Sequence, residues 1–145
     1  MLPTTALDRL AFYAAQVTGL LCHYPAPPTI NSPALVLFWD ATDITEMSEQ
    51  QWMMTVKGQI FIASKSNPAN EILTGDGFIT PLVDRFSVNA PDRSAYHLRT
   101  DDGDMVDYCR VERVQPSLML GYAGHSFYGS EIYWGIKLRR CQGST

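Results

Sequence analysis

Two stretches of the chain alternate apolar and polar residues with a period of two. In the first, Trp52, Met54, Val56, Gly58, Ile60 and Ile62 fall on one face, and Met53, Thr55, Lys57, Gln59, Phe61 and Ala63 on the other. In the second, Ile132, Trp134, Ile136 and Leu138 stand opposite Glu131, Tyr133, Lys137 and Arg139. Successive side chains of a strand point to opposite sides, so both stretches predict strands of a sheet with one buried face. Residues 34–39 (ALVLFW) form a short continuous apolar run, the pattern of a strand buried on both sides.

Elsewhere the period changes. Leu7, Leu10, Ala14, Val17 and Leu21 step by three and four, which predicts an amphipathic helix of about four turns. Thr4 or Thr5 is placed to cap it, with Asp8 in the first turn facing the positive end of the dipole. Pro25, Pro27, Pro28 and Pro33 crowd residues 24–33, a density that blocks helix and interior strand and predicts an extended surface connector. The acidic residues 40–50 then read as a long hairpin loop leading to the first alternating strand. Asn67-Pro68 is a helix-start signal, and Ile72, Leu73, Ile79, Leu82, Val83 and Phe86 keep helical spacing. Gly75 and Gly77 interrupt it, so a broken helix restarting near Thr80 and Pro81 is expected. Residues 95–100 and 105–114 flank Asp101-Asp102-Gly103-Asp104, and Asp-Gly between strand-like runs predicts a hairpin. The Gly- and Tyr-rich residues 118–130 lead into the last strand. The sum is one α+β domain over residues 1–145: a mostly antiparallel sheet of four to five strands, with two main helices packed on one face.

Composition narrows the function. Charged residues make up 18% of the chain, below the usual quarter, alongside three Trp, seven Tyr and six Phe. Buried contacts to other subunits explain that balance, and so does an aromatic-rich monomer. A net charge of −4 argues against a dedicated nucleic-acid binder, whose footprint is a basic patch. Cys22, Cys109 and Cys141 are odd in number and scattered, which implies no disulfide framework and a reducing compartment. The first 21 residues lack a basic n-region and carry Asp8 and Arg9, so they read as neither signal peptide nor membrane span. The expected location is a cytoplasm, unless the protein leaves as part of something larger.

Candidate chemistry is sparse. His23, His97 and His125 are far apart, and no Cys-x-x-Cys or His-x-x-x-His spacing completes the neighbouring Cys22-His23 as a zinc site. That pair reads as two partly buried side chains ending the first helix. Asp101, Asp102, Asp104 and Asp107 resemble a calcium loop, but Gly103 sits third and no Glu follows in place, which favours a solvated turn flanked by Arg99 and Arg110. Cys109, His97 and an Asp can be drawn as a nucleophile system, yet Cys109 lies in a strand-like run and no sharp turn presents it. Gly75-Asp76-Gly77 lacks the length and lysine of a phosphate loop. The basic Lys137, Arg139 and Arg140 read as a phosphate contact or a solvated strand end. No catalytic residue, cofactor or metal is assigned.

The order of elements resembles the tail terminator proteins of long-tailed bacteriophages. The resemblance runs along most of the chain: an N-terminal helix, a Pro-rich connector into PALVLFWD (residues 33–40), a long polar loop, WMMTVKGQIFIAS (52–64), a helix opening on NPANEIL (67–73), and the closing GYAGHSFYGSEIYWGIKL (121–138). Gly75 and Gly77 depart from a simple second helix. The resemblance implies a virion protein assembled in the host cytoplasm. It implies a hexameric ring on the last ring of the tail tube that ends polymerisation and docks the tail to the stopper or connector of the head. Its channel would pass DNA without specific binding, and an acidic balance suits such a channel. A sheet edge that needs covering and a head-to-tail contact that closes both fit a ring. The acidic loops Asp40, Asp43, Glu46, Glu49 and Asp101, Asp102, Asp104 are the expected partner- or channel-facing sites. The alternatives are another neck or tail ring protein (head completion, stopper or tube subunit), or a small ligand-binding or enzymatic α+β domain with a pocket at His97 or His125.

Overall fold

The computed structural model describes residues 1–17, 20–31, 33–39, 44–46, 51–64 and 71–139. Helix α1 spans Pro3–Ala14. Pro3 sits at its start, where a missing N–H costs nothing, and no side chain caps it. Thr4 and Thr5 therefore lie inside the helix, and its first turn carries no acidic residue. The helix is about a turn shorter than the spacing predicts: Val17 stays buried after the helix ends, whereas Leu21 is 56% exposed in strand β1 (Leu21–His23). Cys22 and His23 thus belong to a strand, not a helix end.

Strand β2 (Ala34–Phe38) pairs with β1 in parallel and with β4 (Gln51–Ser64) antiparallel. Between them β3 (Ile44–Glu46) folds back onto β4, with Ile44 opposite Met54, so part of the expected loop extends the sheet beyond β2. After helix α2 (Glu71–Arg85), the chain ends in β5 (Tyr108–Tyr122) and β6 (His125–Arg139). The strand order is β1-β2-β4-β6-β5, with β3 also on β4. The protein is α+β as expected, with six strands in place of four to five.

The buried face follows the alternation. Met54, Val56, Ile60, Ile62, Ile132, Trp134, Ile136 and Leu138 join one core with Leu7 and Leu10 of α1, Leu82 of α2 and Phe86 just after it. Trp52, expected inside, is half-buried at its rim. Gly58 is required here: a Cβ would lie 2.7 Å from the Trp134 ring and 2.9 Å from Leu35. A second, smaller cluster of Val36, Phe61, Leu120 and Phe127 takes the other parity of the strands, against Ile30 of the connector.

Two expectations fail for packing reasons. Helix α2 runs unbroken through Gly75, Gly77 and Pro81. Glycine costs a helix about 1 kcal/mol and proline about 3, but Leu82 and Phe86 are fully buried, and Phe86 meets Trp134 edge-on at 5.7 Å. That tertiary burial outweighs local preference. Asn67 and Pro68 lie outside the described residues. Residues 95–100 form a turn, not a strand: Leu98 has φ 45°, and Leu98 and Arg99 donate backbone bonds to Ala95 and Ser94. The hairpin lies instead at Ala123-Gly124, both at positive φ (50° and 83°), as a tight two-residue hairpin turn demands.

Candidate functional site

The turn that carries Asp101, Asp102 and Asp104 is exposed and internally bonded. Thr100 N–H donates to the Asp104 carbonyl at 2.9 Å, and Gly103 N–H to the Thr100 carbonyl at 3.0 Å. The Thr100 hydroxyl donates to Asp102 Oδ1, which also accepts the Asp104 N–H at 3.2 Å. Those bonds, the hydroxyl first, hold the Asp102 carboxyl below its ordinary value. The turn is fastened to α1: Arg9 Nη2 and the Tyr13 hydroxyl both donate to the Arg99 carbonyl, at 2.8 and 2.7 Å. The Met1 amino group stands 3.7 Å from Asp104. Arg110, which flanks the cluster in sequence, pairs with Glu112. Of the other acidic loop, Asp40, Asp43 and Glu49 lie outside the described residues. Glu46 ends β3 opposite Trp52.

The groups capable of chemistry are withdrawn. Burial pushes the Cys22 thiol up to about 12 and the Cys109 thiol well above its ordinary value, so neither is a thiolate at neutral pH. Among the described residues, no three His, Cys, Asp or Glu side chains are grouped to hold a metal. His125 is exposed at the hairpin turn. His97 borders a hollow of about 450 Å³, lined with it by Met1, Asp104, Met105, Val106 and Asp107. Its Nδ1 lies 3.2 Å from the Val106 carbonyl. Among the described residues, no helix is long and apolar enough to cross a membrane.

The two ends of the sheet are unlike. At one end β1, with Leu21 exposed, and β3, paired to β4, offer three residues each. At the other, β5 offers fifteen. Near its start the Cys109 N–H is covered by the Tyr96 carbonyl at 2.6 Å. Further along, β5 carries Pro116 and register shifts at Val111/Arg113 and Gln115/Leu118, the usual protections of an edge strand.

Sequence reading missed the polar side of the sheet as a candidate surface. Lys57, Tyr133 and Arg113 share one row across β4, β6 and β5, and Gln59, Glu131 and Gln115 the next. Glu131 accepts from Gln59 at 2.8 Å and meets Lys57 at 4.0 Å. The signal lay in the alternate positions of the same strands, which were read only for what they buried. No protein-family model matches the chain, and no curated protein matches it.

Proposed function

We propose that the chain is a non-enzymatic virion protein, a tail terminator. Six copies form a ring that caps the tail tube, ends its polymerisation and docks the tail to the head–neck connector. Both helices cover one face of the sheet in this reading and leave its two ends for neighbours. The observation that carries it is the unlike pair of sheet ends, β1 with three residues and β5 with fifteen. Unlike surfaces meet head to tail, and a head-to-tail contact whose rotation closes makes a ring. The resemblance in element order supplies the tail. Assembly takes place in the host cytoplasm, and DNA passes the channel without specific binding.

The test is the mass of the purified chain in solution, alone and then with tube protein, followed by electron microscopy. Closed discs that stay discs, and that bind tube ends, are expected. Extended tubes would identify a tube subunit. A head-completion or stopper protein would bind the connector and leave tube ends growing. The hollow at His97 favours a second reading, a small ligand-binding domain. A chain that stays monomeric with tube protein present, and is stabilised by a small molecule whose effect His97→Ala abolishes, would support that reading over the first.

A further inference from the structure

The open side of the sheet has a charge opposite to that of the whole chain. Its described side chains include four cations, Lys57, Arg110, Arg113 and Lys137, against two carboxylates, Glu112 and Glu131, so the face sums to +2 in a chain of net −4. Glu112 counts there because its carboxylate lies over Gly135, which has no side chain to displace it. Three of the cations rest on aromatic rings: Lys57 on Phe38 at 5.4 Å, Arg113 on Tyr133 at 4.2 Å and Arg110 on Tyr108 at 4.4 Å. A stacked guanidinium still presents edge N–H donors to a carboxylate: Arg110 gives its Nε to Glu112 at 3.3 Å and retains its terminal N–H groups. Arg110 and Arg113 are both exposed.

The acidic turn is the complement, on the opposite side of the sheet. It is bonded to α1, whose Leu7 and Leu10 share the core cluster of Trp134 and Ile136. Among the described residues, the Met1 amino group is the one cation in ion-pair range of Asp101, Asp102 and Asp104. The two surfaces lie on different sides of the sheet, so bringing them face to face takes two copies, joined head to tail.

We infer that the Lys57–Arg110–Arg113 face of one copy docks the Asp101–Asp104 turn of a second copy, and that this contact is the subunit joint of the ring. The inference rests on the ring reading and specifies its interface. Four residue rows about 6.7 Å apart on three strands about 4.8 Å apart, with side-chain reach, give a footprint on the order of 600 Å². That is below the roughly 800 Å² per side of a standard interface, so one joint is weak and association depends on concentration and salt.

The experiment measures association of the full chain by sedimentation at low and high salt, with and without tube protein. It compares wild type with Arg110→Glu/Arg113→Glu, with Asp101→Lys/Asp102→Lys, and with all four changes combined. All sites are exposed, and the melting of each variant checks its fold. Each reversal alone should weaken association at least about tenfold, because like charges then face each other. The combined variant should recover most of the loss. The milder Arg113→Gln and Asp102→Asn serve wherever a reversal fails to fold, and each should weaken association in the same direction. Reversals that leave the rings unchanged, or a combined variant no better than either half, overturn this joint and leave the ring reading standing. A wild type that never self-associates, with or without tube protein, overturns both.

Discussion

Replacing Ile136 by alanine tests the assignment of the sheet's buried face. Ile136 is fully buried, and its cross-strand neighbours Met54 and Cys109 are buried with it. The change removes three carbons, about 2.4 kcal/mol at roughly 0.8 kcal/mol per buried group. A residual cavity of up to about 60 Å³ adds about 1.4 kcal/mol at roughly 24 cal/mol per Å³. Met54 is long and flexible and can fill part of that space, so the expected loss is about 2.5–4 kcal/mol. With an unfolding entropy of about 2.1 cal/mol/K per residue, a 3 kcal/mol loss lowers Tm by about 10 °C. Urea unfolding at equilibrium is the assay, with the slope expected to stay constant. Thr55→Ala, on the exposed parity of β4, is the control and should change stability by less than about 0.5 kcal/mol. A loss below about 1 kcal/mol for Ile136→Ala, or an equal loss for the control, would refute the face assignment.

Replacing Asp101, Asp102 and Asp104 with Asn should leave melting nearly unchanged, since exposed charge contributes little to stability; the proposed ring role adds a fall in head–tail joining, and unchanged phage yield and DNA delivery would reduce the turn to solvated surface. Asp102 should titrate below its ordinary value of 3.8 in carbon-detected NMR, and Thr100→Val should move it back up. Its pKa is depressed on folding, so its contribution is present above 3.8 and is lost as pH falls through the folded value. An unshifted Asp102 would contradict the Thr100 bond. Native protein at pH 8 should resist alkylation at Cys22 and Cys109, because burial keeps both protonated, and denatured protein without reductant should titrate as three thiols. Rapid native labelling at Cys109 would show that its strand opens.

Long alternating runs were legible because a strand with one wet face writes its burial into every second residue. The buried parity of β4 and β6 follows that rule, β2 shows the continuous apolar run of a strand buried on both faces, and Cys109 sits in the core as its strand-like run implied. Elements decided by tertiary contacts were not legible. β1 and β3 are three residues each, too short to show a period, and exist because β2 and β4 offer partners. Helix α2 survives two glycines and a proline because Leu82 and Phe86 are buried together. The Asp-Gly signal at residues 102–103 marked a real turn, but Ala95 and Leu98 fold inward instead of pairing, and the hairpin formed at Ala123-Gly124. As for the acidic turn, its exposure followed from composition. Its attachment to α1 depends on Arg9 and Tyr13 reaching Arg99 across the fold, which no local pattern encodes.

The adjacency of β4 and β6 governs how the protein can be made. Gln59 and its partner Glu131 are 72 positions apart, and the rows along the two strands are similarly separated. A ribosome adding about 5–20 residues per second needs roughly 4–14 s to cover that gap. Through that interval Met54, Val56 and Ile60 are already synthesised and lack the strand that will cover one edge of β4. The nascent chain therefore presents β4 with one edge uncovered until β6 leaves the tunnel. Closure of the sheet thus waits for β6, and truncation before its central residues leaves the middle of the sheet open. Chaperone demand during synthesis should accordingly fall on β4, and slowing translation should lengthen its exposure without giving it an earlier partner.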